Sequence, residues 1–371
     1  MAVVPDESKV VYKFLGKSGL KVSNICLGTM TFGENKMGMW GQTSEELAHK
    51  ILDRYVEWGG NFIDTADAYS SGKSESILGN WLKKQERERF VIATKVRFPM
   101  SADNPNSVGL SRRHLVESIQ NSLERLQTDY VDLYQMHLWD NATPVEETVR
   151  TLDDLVRCGK VRYIGASNML GWQMQRLVDI TQMMGTNPFI SLQQQYSLVS
   201  RDSELEAFQV CKANGMGVLP WSPLKAGLLT GKYKRDSRPK EGRIGWAAEK
   251  GLGAQAWPAW DSLLQDDQIW NTLDTLEGIS KKHGKSMAQV ALRWVLQKDI
   301  VSSVLIGTTK MAQLEDNMGA ANGWKLSPED MAALDDVSAP KLPYPYEFNI
   351  RLNKGRSNSF IPSYTVQNSS S

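Results

Sequence analysis

The stretch NFIDTADAYSSGKSE, residues 61–75, sets an apolar triplet against an aspartate, adds a tyrosine five positions later and runs out into glycine and serine. Asn-Phe-Ile-Asp is short, apolar and ends on an acid, which reads as a buried strand closing on an ionisable group. Working outward, the same form recurs. NICLG (24–28), NFID (61–64), FVIATK (90–95), YVDLYQMH (130–137), VRYIGAS (161–167), ISLQQQY (190–196), GVLPWS (217–222) and SSVLIG (302–307) are eight such runs, separated by longer segments of helical period. That alternation is the pattern of a parallel sheet built from βα units.

Eight strands with interleaved helices fit a closed (β/α)8 TIM barrel, an α/β fold, better than a doubly wound sheet, which usually has fewer strands and a glycine-rich first turn. Helix starts are expected at Thr43 with Glu46, at Ser111 with His114, at Thr143 with Pro144 in the first helical position, and at Ser327 with Pro328. The opening VYKFLGKSGLKVSN reads as a hairpin turning at Lys17-Ser18-Gly19, placed to plug the barrel floor. Residues 223–267, rich in Gly, Pro and Trp, show no clean period and read as a long functional loop at the C-terminal face. The barrel is expected over 12–338, and residues 339–371 form an extension whose polar end should lack fixed structure.

Composition narrows the partners. The 43 basic and 42 acidic side chains nearly cancel, and no block of lysine or arginine marks a nucleic-acid or membrane surface, so a small molecule is the expected partner. Cys26, Cys158 and Cys211 are odd in number and widely spaced, which suggests neither a disulfide framework nor a zinc site. The N-terminus has no basic start followed by an apolar core, and no run approaches the length of a membrane span, so a cytoplasmic location is expected. Oligomeric state is left open.

In such a barrel the strands end at the active face. Asp64, Lys95 and His137 close the second, third and fourth strands, and Tyr69 follows in the loop after the second. Singly, each has a bland reading as a turn cap, a solvated strand end, a core histidine or loop packing. Together, ionisable groups at three consecutive strand ends mark a site. A phenol with a pKa of about 10 is a poor acid at neutral pH, but a neighbouring ammonium stabilises the phenolate, and a carboxylate stabilises the ammonium in turn. Acid and phenol therefore share one stretch because the first tunes the second through the lysine.

These residues, with GASN (165–168), LPWSPLKAGLLTGKY (219–233) and LIGTTKMAQLEDN (305–317), resemble the aldo-keto reductase superfamily, in the branch that holds bacterial general reductases and potassium-channel β-subunits. The resemblance runs from about residue 12 to 338. It implies NADPH-dependent reduction of an aldehyde or ketone, with Tyr69 as proton donor, Asp64 and Lys95 as its tuning pair and His137 orienting the carbonyl. No glycine-rich dinucleotide fingerprint follows a strand. Instead the resemblance assigns the cofactor to Thr29, Ser167, Asn168, Gln193 and Trp221 around the nicotinamide, and to Ser222, Pro223, Leu224, Gly227 and Lys232 along the pyrophosphate. Gly307, Thr309, Lys310, Gln313, Asp316, Asn317 and Arg243 fall at the adenosine end, and no metal is required. Met30, Trp40, Arg97 and Trp139, with Trp246, Trp257 and Trp260 of the long loop, are candidate pocket walls. Arg97 could meet a substrate carboxylate or simply form a surface ion pair. Whole-chain likeness, including YPYEFN (344–349), points to invertebrate members, some of which reduce sugar-derived α-keto aldehydes such as the unsaturated uronate released from alginate. The alternatives are a redox-sensing binding protein like the channel subunits, and a sugar-phosphate isomerase; the second lacks a glutamate at a strand end.

Overall fold

A computed structural model describes residues 9–33, 43–237, 242–250, 260–356 and 358, with Arg243 described by its backbone only. The described residues form ten strands: β1 Tyr12–Phe14, β2 Lys21–Ser23, β3 Ile25–Gly28, β4 Phe62–Asp64, β5 Val91–Val96, β6 Val131–Met136, β7 Val161–Ser167, β8 Phe189–Gln195, β9 Gly217–Trp221 and β10 Val304–Ile306. β1 and β2 pair antiparallel as the expected hairpin. The other eight form one parallel sheet in the order β10-β3-β4-β5-β6-β7-β8-β9. The ring closes just before β10, where Val218 donates to the Ile300 carbonyl (3.1 Å) and Ser302 donates back to the Val218 carbonyl (3.0 Å). This is the (β/α)8 barrel, and all eight strand readings stand to within two residues at either end.

Two apolar layers hold it. Inside the barrel Cys26, Phe62, Val91, Ala93, Leu133, Ile190, Leu219 and Leu305 pack on one another, and Leu15 and Val22 of the hairpin, both fully buried, stopper them from below. The larger outer layer joins the other strand faces to the helices. Side chains two residues apart on a strand share a face. Asp64, Lys95 and Gln135 therefore stand directly above the interior residues Phe62, Ala93 and Leu133.

The N-caps at Ser111 and Ser327 are confirmed, with side chains accepting from the His114 and Asp330 amides. Two others shift by one residue. Thr43 is fully buried and its backbone bridges Thr31 and Gly33, so Ser44 caps the helix Glu45–Glu57. Thr143 gives its hydroxyl to Asp140 (2.6 Å), and Pro144 is the extended cap of Val145–Arg157 rather than its first helical residue. Residues 223–267 are not one long loop: they hold a 3-10 segment, Lys225–Thr230, and the helices Gly242–Lys250 and Trp260–Leu264. The tail forms a helix, Tyr346–Asn353, moored by the Tyr346 hydroxyl on Glu206 (2.6 Å). Residues 359–371 lie outside the described residues.

Tyr55, on Glu45–Glu57 and fully buried, joins floor to barrel. Its hydroxyl lies 2.8 Å from the Ile25 and Phe62 carbonyls and 2.9 Å from Ser23 Oγ. Tyr55→Phe strips that hub without changing the ring, so chemical denaturation should show a loss of about 1–3 kcal/mol; an unchanged midpoint would mean the hub is idle.

Candidate active site

After β4 the chain turns inward and is held at every step. Thr65 donates to the Ala93 carbonyl (2.9 Å), Asp67 to that of Lys95 (3.2 Å) and Tyr69 to that of Ala66 (3.2 Å). Ser70, Ser71 and Gly72 then take left-handed φ values of 50°, 55° and 89° before the helix Lys73–Leu82 begins. For two non-glycine residues this costs roughly 1 kcal/mol or more each. The Ser70 hydroxyl on the Phe32 carbonyl (2.9 Å) helps hold the reversal. The result is a phenol folded back over the barrel mouth.

Lys95 is wholly buried, and its ammonium donates to Asp64 Oδ1 (2.5 Å), the Thr65 carbonyl (2.9 Å) and the Tyr69 hydroxyl (3.1 Å). Three donors meet three acceptors. Burial works against the charge, but Asp64 and then Tyr69 more than offset it and hold the Lys95 pKa above the ordinary lysine value. The second Asp64 oxygen accepts from Gln193 Nε2 (2.8 Å) and Gln135 Nε2 (3.1 Å), so the carboxylate is held on both sides. Gln135 was missed in the sequence, although strand alternation places it on the same interior face as Lys95.

His137 packs edge-on against Tyr69, with ring centroids 5.8 Å apart, and against Phe98, at 4.7 Å. Burial, aided by the Lys95 charge, holds its pKa well below 6.5, so the ring is neutral; its Nδ1 is buried without a hydrogen-bond partner among the described residues. Asp64, Lys95 and His137, named from the strand ends, and Tyr69 of the following loop are thus brought to one place.

Around them the remaining candidates divide. Asn168, at φ 55°, donates to the His137 carbonyl (3.0 Å) and to Ser167 Oγ (3.1 Å) and accepts from the Trp221 indole (3.1 Å), which links β6, β7 and β9 at the rim. Gln193 is committed to Asp64 through its amide N–H. Thr29 is fully buried, its hydroxyl engaged with the Asp64 carbonyl and Ser74, so it braces the end of β3. Beyond Trp221, Ser222 has φ 55°, Pro223 is buried and Leu224 half-buried, and Lys225, Ala226 and Gly227 follow with φ 44°, 56° and 89°. Such runs curl the backbone into a concave turn suited to an anion. A Cβ at Gly227 would lie 2.9 Å from Lys232 Nζ, which places that ammonium against the same turn.

At the far end Gly307 and Lys310 are exposed, and Lys310 opens the helix Met311–Met318. Gln313 caps it by accepting from the Thr309 amide (3.0 Å), Asp316 accepts from Ser286 Oγ (3.0 Å), and Asn317 is buried. Gln313, Asp316 and Asn317 are therefore partly engaged within the protein. The Arg243 side chain, Trp40 and Trp257 lie outside the described residues. Trp260 is no pocket wall: it is buried against Trp270 (6.0 Å) and Tyr233 (6.4 Å).

Met30 is half-buried. Arg97, on the chain just beyond β5, has a buried Nε without a hydrogen-bond partner and no ion pair at contact distance among the described residues, although its charge helps to lower the pKa of Asp140. Trp139 meets the exposed Trp172 edge-on at 5.5 Å. Phe98 and Trp172 were not anticipated; Phe98, three past the lysine, could have been suspected from its position beside Arg97.

The chain matches the Aldo/keto reductase family over residues 24–339. It is a member of that family. It is 36% identical over 335 residues to an uncharacterized oxidoreductase, YrpG, of Bacillus subtilis, covering 88% of this chain and 95% of that protein. Versiconal hemiacetal acetate reductase of Aspergillus parasiticus is 36% identical over 357 residues, 91% of this chain and 99% of its own. Norsolorinic acid reductase of Aspergillus flavus is 31% identical over 337 residues, 89% and 81%. This aldo-keto reductase is accordingly an NAD(P)-dependent oxidoreductase, and carbonyl reduction is the activity its family supports. Among the described residues no helix is long and apolar enough to cross a membrane.

The neutral histidine is directly checkable. Across pH 8 to 5 the 15N shifts of His137 should stay those of a neutral imidazole; a titration centred near 6.5 would show that burial and Lys95 do not act on it as described.

Proposed function

We propose that the protein is an NADPH-dependent reductase of aldehydes or ketones, with Tyr69 as proton donor. The observation that carries this reading is the Lys95 ammonium, shared at hydrogen-bond distance between a fully buried Asp64 and the Tyr69 hydroxyl beside a neutral His137. When bound, the cofactor supplies a hydride to the carbonyl carbon. The chain's own groups act on the oxygen. As that oxygen gains charge it takes the Tyr69 proton, and the negative charge left on the phenol faces the ammonium 3.1 Å away. Asp64, tied by two glutamines, keeps the ammonium charged and fixed. His137, being neutral, can donate one N–H to the carbonyl without competing for the proton.

The residues fit the cofactor. The ring of Trp221, anchored through Asn168, offers a flat apolar surface at the mouth, with Ser167 beside it. The left-handed turn at Lys225-Ala226-Gly227, with Lys232 against it, suits a pyrophosphate. Exposed Lys310 at a helix N-terminus, with Gly307 and Thr309 before it, suits the 2'-phosphate that distinguishes NADPH. For the substrate, Arg97, which has no ion pair at contact distance among the described residues, favours a carboxylate, and Phe98, Trp139 and Trp172 favour a flat or ring-bearing body. A sugar-derived α-keto aldehyde bearing a carboxylate, such as that from an unsaturated uronate, meets the first demand.

Tyr69→Phe keeps the ring and removes the acid, so NADPH oxidation across a panel of simple aldehydes, carboxylated dicarbonyls and aryl aldehydes should fall about 10²–10⁴-fold, with NADPH affinity near normal. Substantial retained turnover would assign the proton to another group. Lys310→Ala should cost a charge-assisted contact of about 1.5–3 kcal/mol, felt by NADPH and not by NADH. Fluorescence titration showing an unchanged affinity ratio would move the 2'-phosphate elsewhere.

A further inference from the structure

One buried carboxyl group beneath the Tyr69 loop takes part in none of these steps. Asp67 is 0% exposed, and neither of its carboxyl oxygens has a hydrogen-bond partner among the described residues. Its amide is tied to the Lys95 carbonyl, which fixes it on the turn two residues before Tyr69. The other buried acids nearby are compensated. Asp64 receives three donors, and Glu75, equally buried, accepts from Thr94 Oγ1 (2.6 Å) and pairs with Arg125 Nε (2.7 Å).

The groups that face Asp67 come from every element packed around it: Glu75 from Lys73–Leu82, Arg125 from Arg112–Leu126, Lys95 from β5 and buried Tyr134 from β6. Their charges already close in pairs, Lys95 with Asp64 and Arg125 with Glu75. Among these facing groups an ionised Asp67 would be the one charge without a partner, and burial penalises such a charge heavily. Burial first, then Glu75, push its carboxyl up to about 7, against the opposing pull of the Ala68 peptide, Arg125 and Lys95. Arg125 also backs the strained turn itself, since a Cβ at Gly72 would lie 2.9 Å from its Cδ.

We infer that Asp67 is a proton-binding positioning residue of the Tyr69 loop, neutral while the loop holds the phenol over Lys95, and that its ionisation slows reduction by setting a second negative charge beside that pair. The inference rests on the reductase reading for its kinetic consequence. It goes beyond that reading in giving the pH response to a group that touches neither substrate nor cofactor. A new negative charge there holds the ammonium but opposes the phenolate formed when Tyr69 gives up its proton. Linkage adds an effect independent of turnover. The folded chain keeps a proton that an unfolded aspartate loses near 3.9, so the stabilisation is complete below about pH 4 and is lost as the pH rises to about 7.

The test is the pH dependence of kcat for NADPH-driven reduction of a simple aldehyde, from pH 5.5 to 8.5, in the wild type, Asp67→Asn and Glu75→Gln. The wild-type rate should fall several-fold across a step near neutrality, and Asp67→Asn should hold the low-pH rate throughout. Glu75→Gln, which removes the facing charge, should move the step down by about one unit. In urea denaturation the stability of the wild type relative to Asp67→Asn should decline between pH 5 and 7. Parallel pH profiles for wild type and Asp67→Asn, or a stability difference without slope, overturn the inference. If Asp67→Asn does not fold, an unmoved step in Glu75→Gln overturns it. A wild type that never oxidises NADPH with any aldehyde sinks the reductase reading instead, and the denaturation slope then decides whether Asp67 holds its proton.

Discussion

An ammonium sealed from water is tolerable only if its charge is answered within hydrogen-bond reach, and Lys95 is such an ammonium. Asp64 answers it at 2.5 Å, the Thr65 carbonyl and Tyr69 hydroxyl take its remaining protons, and Gln135 and Gln193 occupy the far side of the carboxylate. Removing either partner of such a pair costs about 3–5 kcal/mol because the other is left charged in an apolar place. The constraint therefore reaches five elements at once, β4, β5, β6, β8 and the turn after β4. The chemistry proposed for Tyr69 uses the same arrangement, since an ammonium fixed this firmly needs no rearrangement when the phenol loses its proton.

The barrel supplies that arrangement through strand alternation. Phe62, Ala93 and Leu133 fill the interior over the hairpin stopper of Leu15 and Val22, and the next residues on the same face are Asp64, Lys95 and Gln135. One step of the two-residue period converts a dry core into a polar floor for the site. Above it the backbone leaves regular structure and accepts left-handed residues at Ser70, Ser71, Asn168, Ser222, Lys225 and Ala226, all within three positions of a residue given a role in the reaction or in cofactor binding. Strain gathers where side chains and concave backbone must meet a ligand.

Much of this could be read from the chain. The strands were legible because each is a short, β-rich run set between longer segments of helical period, and Asp64, Lys95 and His137 because they recur at matching strand ends, with Tyr69 in the loop after the first of them. Ser111 and Ser327 were legible as caps because their bonds are local. Thr43 misled because its backbone is tied to Thr31 and Gly33 ahead of the helix, and Thr143 because the Asp140 carboxylate takes its hydroxyl. Gly242–Lys250 lies in a stretch rich in Gly, Pro and Trp, Trp260–Leu264 is only five residues long, and the tail helix alternates apolar and polar residues like a strand, with its partner Glu206 for Tyr346 far away in sequence. Asp67 and Glu75 were silent for the opposite reason. An acid in a polar run looks solvated, and only the folded chain shows that both are sealed.

If charge balance at the barrel mouth is the governing constraint, it should appear as coupling between its two members. Urea denaturation of Asp64→Asn, Lys95→Met and the double variant closes a double-mutant cycle. The account predicts that Lys95→Met alone is strongly destabilised, and that adding Asp64→Asn restores stability because no buried charge remains unanswered. A double variant that loses the full sum of the two single losses would contradict it.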